Sequence, residues 1–131
     1  MRITGLILLG SLAAVQQQGA YKPVATNAQL MTTLIIPSSD AIFDVSVNPP
    51  KTDEAWANLE NQSLILAESG NLLMMDGRAV AETLWMEESR GLVDSGEDAF
   101  KAAKAKDLKR MLEVGEDILA TCARCHYQYL K

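Results

Sequence analysis

The sequence predicts an all-α protein, and three observations support this fold class. Four segments carry apolar residues at three- and four-residue spacing, the period of a helix that packs on one face. The breaks between these segments are short and contain Pro, Gly, Asp and Asn. The one competing strand, at residues 30–36, would have no partner strand to pair with. Four helices with short connections favour an antiparallel up-down-up-down bundle.

The first helix is predicted to begin after Asn27, a residue type that caps helices well. Pro37 must kink or interrupt it, because proline cannot donate the helical hydrogen bond. The polar run 38–40 can cap a continuation as far as Val45. The weak helix formers between 32 and 36 are the reason that a strand competes with the helix here.

The second and third helices follow the break at Pro49-Pro50. Thr52 is predicted to cap the second helix, whose first turn holds Asp53 and Glu54, where the helix dipole favours acidic residues. Its core-facing positions are Trp56, Leu59, Ser63, Leu66 and Gly70. The third helix is predicted from about 82 to 105, with Leu84, Trp85, Leu92, Ala99 and Ala103 at core spacing.

The last helix has the clearest pattern in the chain, and Asp107 is predicted to cap it. Residues at steps of three and four form a stripe that is predicted to face inward. The stripe consists of Leu108, Met111, Leu112, Gly115, Ile118, Leu119, Cys122, Cys125, His126 and Tyr129. The only histidine and both cysteines of the chain are therefore placed on the core side.

These three residues form the motif Cys122-Ala123-Arg124-Cys125-His126. C-x-x-C-H is typical of covalent c-type haem attachment. Residues three and four apart lie on one helical face, so two thiols and an imidazole project together. The thiols would form thioethers with the haem vinyl groups, and His126 would be the proximal iron ligand. One motif predicts one haem c.

Other interpretations of the motif are a redox or disulfide pair, a metal site, and a chance occurrence. The thioredoxin-like C-x-x-C lies near a βαβ pattern, which this region lacks. A structural zinc site needs four ligands, usually Cys and His, and the chain has three such side chains. Haem attachment is therefore the favoured interpretation.

The N-terminus is predicted to be a signal peptide within residues 1–20, cleaved somewhere between 13 and 20. Met1 and Arg2 precede an apolar run from Ile3 to Val15, which is short for a membrane span and suits a secretory signal. An uncleaved anchor is the alternative. Export predicts a periplasmic location, which agrees with haem attachment because bacterial c-type cytochromes mature outside the cytoplasm. The part after the signal peptide, 21–131, is then the predicted haem domain.

The formal charge of −5 limits the partners of the chain. Loss of Arg2 and two haem propionates would make it more negative. Binding to nucleic acid or stable insertion in a membrane after signal cleavage is not expected. A redox partner protein with a basic face would be attracted electrostatically. The sequence is compatible with both a monomer and a homodimer, because an apolar helix face can pack in a core or in a dimer interface.

The candidate ligands for the sixth coordination position of the iron can be reduced by elimination. A second histidine ligand within one protomer is impossible, because the chain has one histidine. Met111 lies fifteen residues before His126 on the same helix, roughly 22 Å away at 1.5 Å per residue. Met1 would leave with the signal peptide. The methionines that remain are Met31, Met74, Met75 and Met86, and the predicted bundle places them with Trp85 at the end that carries the haem motif.

The chain resembles class II cytochromes c, the cytochrome c-prime group, over about residues 26 to 131. The most specific similarity runs from Lys106-Asp107 through Gly115 to the C-x-x-C-H and Tyr129. Weaker similarity lies around Met31 and Pro37, at 53–56 and at 70–75. The resemblance implies a four-helix bundle with its haem near the C-terminus.

The resemblance also bears on the distal face of the haem. In some members a methionine after a leucine in the first helix binds the iron, and Leu30-Met31 matches that position. In others the site is open behind an apolar residue and binds nitric oxide or carbon monoxide. We expect Met31 as the distal ligand, with Trp85, Met75 and Tyr129 as haem-packing residues.

Three functions are weighed. The first is one-electron transfer through a His/Met-ligated haem, and the second is gas binding by a five-coordinate haem. A haem enzyme, for example one that reduces peroxide, ranks last because the chain offers no second histidine for acid-base chemistry. The expectation is an electron carrier that is not an enzyme.

Overall fold

A computed structural model of the chain describes residues 21–130, and the regular secondary structure of this part is entirely helical. Helix α1 covers 27–43, α2 is Asp53–Leu73, α3 is Thr83–Lys104 and α4 is Leu108–Tyr129. A 3₁₀ turn at Asp44–Ser46 follows α1. The all-α prediction is confirmed here, whereas the predicted signal peptide lies outside the described residues. Between residues 21 and 130, none of the helices has the length and apolarity that a membrane crossing requires.

The four helices pack together as a bundle around one hydrophobic core. The most extensive interface is between α2 and α3, and α3 also packs against α4. Helix α1 lies against α2 and α4. Leu66 from α2 and Met111, Val114 and Ile118 from α4 are completely buried.

The N-terminus of α1 is fixed by a capping box at Thr26. Its hydroxyl accepts a hydrogen bond from the backbone N–H of Gln29 at 3.2 Å, and the Gln29 side chain accepts one from the Thr26 N–H at 2.9 Å. The prediction that Asn27 caps this helix is wrong. Asn27 instead donates a hydrogen bond to the backbone carbonyl of Arg78, at 3.1 Å, and joins α1 to the loop after α2.

The middle of α1 is a single π-helical turn at Met31–Ile35, in which the N–H of Ile36 bonds to the carbonyl of Met31. Pro37 follows at the second position of the next α-helical segment, Ile36–Phe43. Proline has no N–H to donate, and this one-residue shift of the hydrogen-bond pattern lies directly before it. The prediction that Pro37 kinks or interrupts the helix corresponds to this π-turn, which lies directly before the proline in a helix that continues. The predicted new cap is wrong, because Ser38 and Ser39 are buried within that helix.

Two predicted caps are confirmed. The hydroxyl of Thr52 accepts a hydrogen bond from the N–H of Ala55 at 3.2 Å, and the Asp107 carboxylate accepts one from the N–H of Arg110 at 3.0 Å. Both satisfy backbone donors that the first turn of a helix leaves without partners.

We expect Asp107→Ala to lower the free energy of unfolding by about 1 kcal/mol, because the first turn of α4 loses its side-chain cap. Chemical denaturation followed by circular dichroism measures the change. Asp117→Ala is the matched control, since Asp117 is exposed in the middle of the same helix. Equal destabilisation by both variants would contradict the capping role of Asp107.

Helix α2 buries the predicted face, while α4 is rotated from its predicted orientation. Trp56, Leu59, Ser63, Leu66 and Gly70 are all buried, as predicted. In α4, Leu112 and Leu119 are 41% and 59% exposed, whereas Val114 and Thr121 are buried. Apolar residues occupy two adjoining faces of α4, so their spacing did not settle which face points inward.

Helices α2 and α3 approach each other closely at two glycines. A Cβ added at Gly96 would lie 2.6 Å from the backbone nitrogen of Ala67, and one at Gly70 would lie 2.6 Å from the carbonyl oxygen of Ser89. Both distances are shorter than van der Waals contact. Glycine is therefore what allows the two backbones to come this near.

Candidate functional site

One cavity, of about 100 Å³, brings together side chains from all four helices. Cys122, Cys125 and His126 line it from α4, and Met31 lines it from α1. The four side chains that the sequence predicted as haem anchors and iron ligands thus share one cavity. Their roles stay predictions, and what the structure adds is their common location.

The orientation of the motif follows from its helical spacing. Cys122 and Cys125 are half-buried, and His126 is exposed, next to Cys125. Steps of three and four residues place all three on the side of α4 that faces the cavity. The thiols therefore lie in the wall, while the imidazole lies where the cavity reaches the surface.

The π-turn explains why Met31 and Ser39 line the same cavity. Eight residues of uninterrupted α-helix turn through about 800°, or about 80° beyond two full turns. One additional residue in the π-turn reverses about 100° of that rotation, which leaves the two positions about 20° apart. The π-turn before Pro37 therefore brings the two side chains to nearly the same direction around the helix axis.

Both cysteines of the motif are free thiols. Burial raises the pKa of Cys122, and burial together with the negative charge of Glu88 raises the pKa of Cys125. Both groups are therefore protonated at neutral pH, the form in which a thiol is a weak nucleophile.

Glu88 is one of the cavity-lining residues that the sequence analysis did not predict. Its side chain is 7% exposed, and Arg124 donates to it through Nε at 2.7 Å and through Nη2 at 3.0 Å. The signal was present in the sequence: Glu88 lies three residues after Trp85 and four before Leu92, so a carboxylate occupies a core-spaced position of α3. A buried carboxylate needs a partner, and the C-x-x-C-H motif itself supplies it.

Ser39 is a second polar residue of the cavity wall. Its hydroxyl is buried and has no hydrogen-bond partner among residues 21–130. A buried hydroxyl without a partner costs roughly 1–3 kcal/mol. A water molecule or a bound group with a hydrogen-bonding atom would recover that free energy.

The other predicted haem-packing residues do not line this cavity. Trp85 and Tyr129 form an edge-to-face pair with ring centroids 5.2 Å apart. Trp85 Nε1 donates to the carbonyl of Leu73 at 2.9 Å, and the Tyr129 hydroxyl donates to Glu82 at 2.8 Å. Met75 lies beside Arg78, whose Nη1 is 3.3 Å from its sulfur. These residues brace the end of the bundle next to the motif, and their contact with haem stays a prediction.

The remaining methionines considered as ligands also lie elsewhere. Met74 and Met75 line a surface groove with Asn71 and Asp76, and Met86 lines a groove along the loop before α3. Met111 is completely buried in the core. Among the methionines of residues 21–130, Met31 is the one that shares a cavity with His126.

The donor set fits a covalently bound haem. Two thiols, one imidazole and one thioether are the groups that two thioether bonds and two axial positions require. The cavity of about 100 Å³ is smaller than a porphyrin, so the side chains at its mouth must move outward to admit one. Of the residues that line the cavity, Ile36, which is 47% exposed, and Asp40 lie at the surface.

No protein family, curated protein sequence or solved structure that was compared with this chain matches it.

Proposed function

We propose that the chain is a monohaem c-type cytochrome of the cytochrome c-prime type that transfers single electrons. The observation that carries this proposal is the cavity that Met31 shares with Cys122, Cys125 and His126. These residues come from the first and last helices, so folding, and not sequence proximity, brings the methionine to the motif.

In this proposal each side chain has a defined task. Cys122 and Cys125 hold the haem covalently, His126 is the proximal ligand and Met31 is the distal ligand. Bound there, haem supplies a one-electron ferric/ferrous couple, and a thioether ligand raises its reduction potential. A histidine and a methionine fixed on two packed helices change little between oxidation states, which suits electron transfer.

We further propose the antiparallel up-down-up-down topology for the bundle. Contacts between helix ends support it: Lys106, after α3, pairs with Asp53, at the start of α2, at 2.8 Å. Tyr129, at the end of α4, bonds to Glu82, directly before α3. Helices that are consecutive in the chain would then run in opposite directions, which short connections favour.

The proposal includes export to the periplasm and an electron-transfer partner with a basic face. The sequence of residues 1–20 and the net negative charge of −5 support these two points. The proposed protein is a carrier and not an enzyme.

The test is the optical spectrum of the purified holoprotein, ferric and ferrous, with and without carbon monoxide. We expect low-spin spectra in both states, a sulfur–iron charge-transfer band in the ferric state, and little response to carbon monoxide. Met31→Ala should abolish that band, give a high-spin spectrum and permit carbon monoxide binding, because it removes the thioether from the cavity. Met74→Ala, which changes a methionine in a different groove, should leave the spectra unchanged.

The second candidate function is gas binding by a five-coordinate haem. The apolar void beside Met31 and the unpartnered Ser39 hydroxyl favour it, since they offer space and a hydrogen-bond donor to a small ligand. High-spin spectra of the unmodified protein, together with rapid carbon monoxide binding, would contradict the electron-transfer proposal and support gas binding. A purified protein that carries no covalent haem after expression with c-type maturation enzymes would overturn both.

A further inference from the structure

Glu88 and Arg124 form an ion pair whose two charges lie in different surroundings. The Glu88 side chain is 7% exposed and lines the cavity with Leu92 and Cys125. The Arg124 side chain is 57% exposed. The negative end of the pair therefore points into the cavity wall, and its positive end faces solvent.

This asymmetry makes the carboxylate the stronger influence on anything bound in the cavity. Solvent and salt screen a charge at the surface much more than a buried one. The second carboxylate among the cavity-lining residues belongs to Asp40, which is exposed and correspondingly screened. Glu88 is thus the least screened charge in the wall.

The pair also connects α3 to the haem-attachment segment. Arg124 lies between the two cysteines of the motif, and its Nη2 donates to the Thr121 hydroxyl at 3.3 Å as well as to Glu88. Both nitrogens that contact Glu88 belong to one planar guanidinium, which fixes the separation of the two charges.

We propose that the buried carboxylate of Glu88 lowers the reduction potential of the group bound in this cavity, and that Arg124 limits the effect. The inference rests on the proposed function, in which that group is haem. Ferric haem carries one more positive charge than ferrous haem, and reduction adds one electron. A nearby negative charge stabilises the ferric form and so opposes reduction.

The test compares the midpoint potentials of two charge-removing variants of the holoprotein, measured by spectroelectrochemical titration. Glu88→Gln should raise the potential, because it removes the negative charge and keeps the size of the side chain. Arg124→Gln should lower it, because it leaves the carboxylate without its cation. We expect each shift to be about tenfold in the equilibrium constant for reduction, or about 59 mV for one electron.

The matched control is the ion pair between Asp98 on α3 and Arg110 on α4, whose atoms are 2.8 Å apart. It joins the same two helices, but Arg110 lies sixteen residues before His126, roughly 24 Å along α4. Asp98→Asn and Arg110→Gln should leave the potential unchanged. Glu88→Asp, which keeps the charge, should stay close to the unmodified protein.

Opposite shifts from Glu88→Gln and Arg124→Gln support the inference. Potential shifts of the same sign in both variants, or no shift, overturn it. If the ion pair only held two helices together, the direction of the potential shift would not depend on whether a negative or a positive charge was removed. If Arg124→Gln yields no holoprotein, the comparison of Glu88→Gln with Glu88→Asp decides whether the inference holds: the midpoint potential of Glu88→Gln should be the higher of the two, and an equal or lower potential overturns the inference. An unmodified protein without covalent haem would refute the proposed function itself, a result that pyridine haemochrome assay distinguishes from unchanged potentials.

Discussion

In the proposed monohaem cytochrome, replacing Cys122 and Cys125 together by serine is expected to abolish covalent haem attachment completely. Each thioether forms when a thiol S–H adds across a haem vinyl double bond, so the protein gains the haem and loses no atom. Serine hydroxyls do not make this addition under the same conditions. Mass spectrometry of the denatured protein should show the polypeptide mass alone for the double variant, and polypeptide plus one haem for the unmodified protein.

Each single cysteine variant should keep one thioether, and therefore the full mass increase of one haem, because the other thiol stays in the cavity wall. Thr121→Ser serves as the control, since it alters the wall directly before the motif and leaves both thiols intact. Covalently bound haem in the double variant would show that Cys122 and Cys125 are not the attachment points.

The second large effect is expected from Gly96→Ala, which tests the packing of the bundle without reference to haem. A methyl group at this position would meet the backbone nitrogen of Ala67 at 2.6 Å and its Cα at 2.8 Å. Backbone atoms cannot rotate away as a side chain can, so α2 and α3 must move apart. We expect the free energy of unfolding to fall by about 2 kcal/mol, after allowance for the helix propensity that alanine adds.

Gly91→Ala makes the same substitution in the same helix where there is room for it. The added methyl group would lie 3.5 Å from the side chain of Thr121, an ordinary contact distance. Stability should rise by up to about 1 kcal/mol, because alanine is the better helix former. Urea denaturation of both variants measures the difference, and a similar effect of the two substitutions would contradict the close approach at Gly96.

Helix ends were predictable from the sequence wherever one local contact decides them. Thr52 and Asp107 cap their helices through a bond to a backbone N–H three residues ahead, and such a contact needs no knowledge of the rest of the fold. Asn27 shows the limit of this reasoning. It has a favourable residue type for a cap, but Thr26 has the matching Gln29 that completes a capping box.

The orientation of α4 and the path of α1 depend on long-range packing, which spacing alone does not encode. Leu112 and Leu119 satisfy the same three- and four-residue steps as Met111 and Ile118, yet only the second pair is buried. Pro37 predicted a kink or an interruption, but the helix continues through a π-turn and buries Ser38 and Ser39 in the bundle. In both places tertiary contacts override the local pattern.

The candidate site was predictable as far as its motif and, through the resemblance to class II cytochromes c, Met31. The C-x-x-C-H spacing identified Cys122, Cys125 and His126, because three- and four-residue steps on a helix fix their common face. The pairing of Glu88 with Arg124 joins residues 36 positions apart, so the sequence shows each charge but not their contact. Only the packing of α3 on α4 brings them together.

The π-turn of α1 is equivalent to a one-residue insertion in a regular helix. In a helix without the π-turn, a methionine seven residues before Ser39 would be rotated from it by about 700° around the helix axis. This is about 20° short of two full turns, the same angle that separates Met31 from Ser39 now. Deleting one residue between 32 and 34 should therefore leave both side chains on the cavity face. Any alignment of this chain with a relative that has a continuous first helix needs a one-residue gap between Met31 and Pro37, and ungapped alignment would pair the cavity-facing methionine with the wrong position.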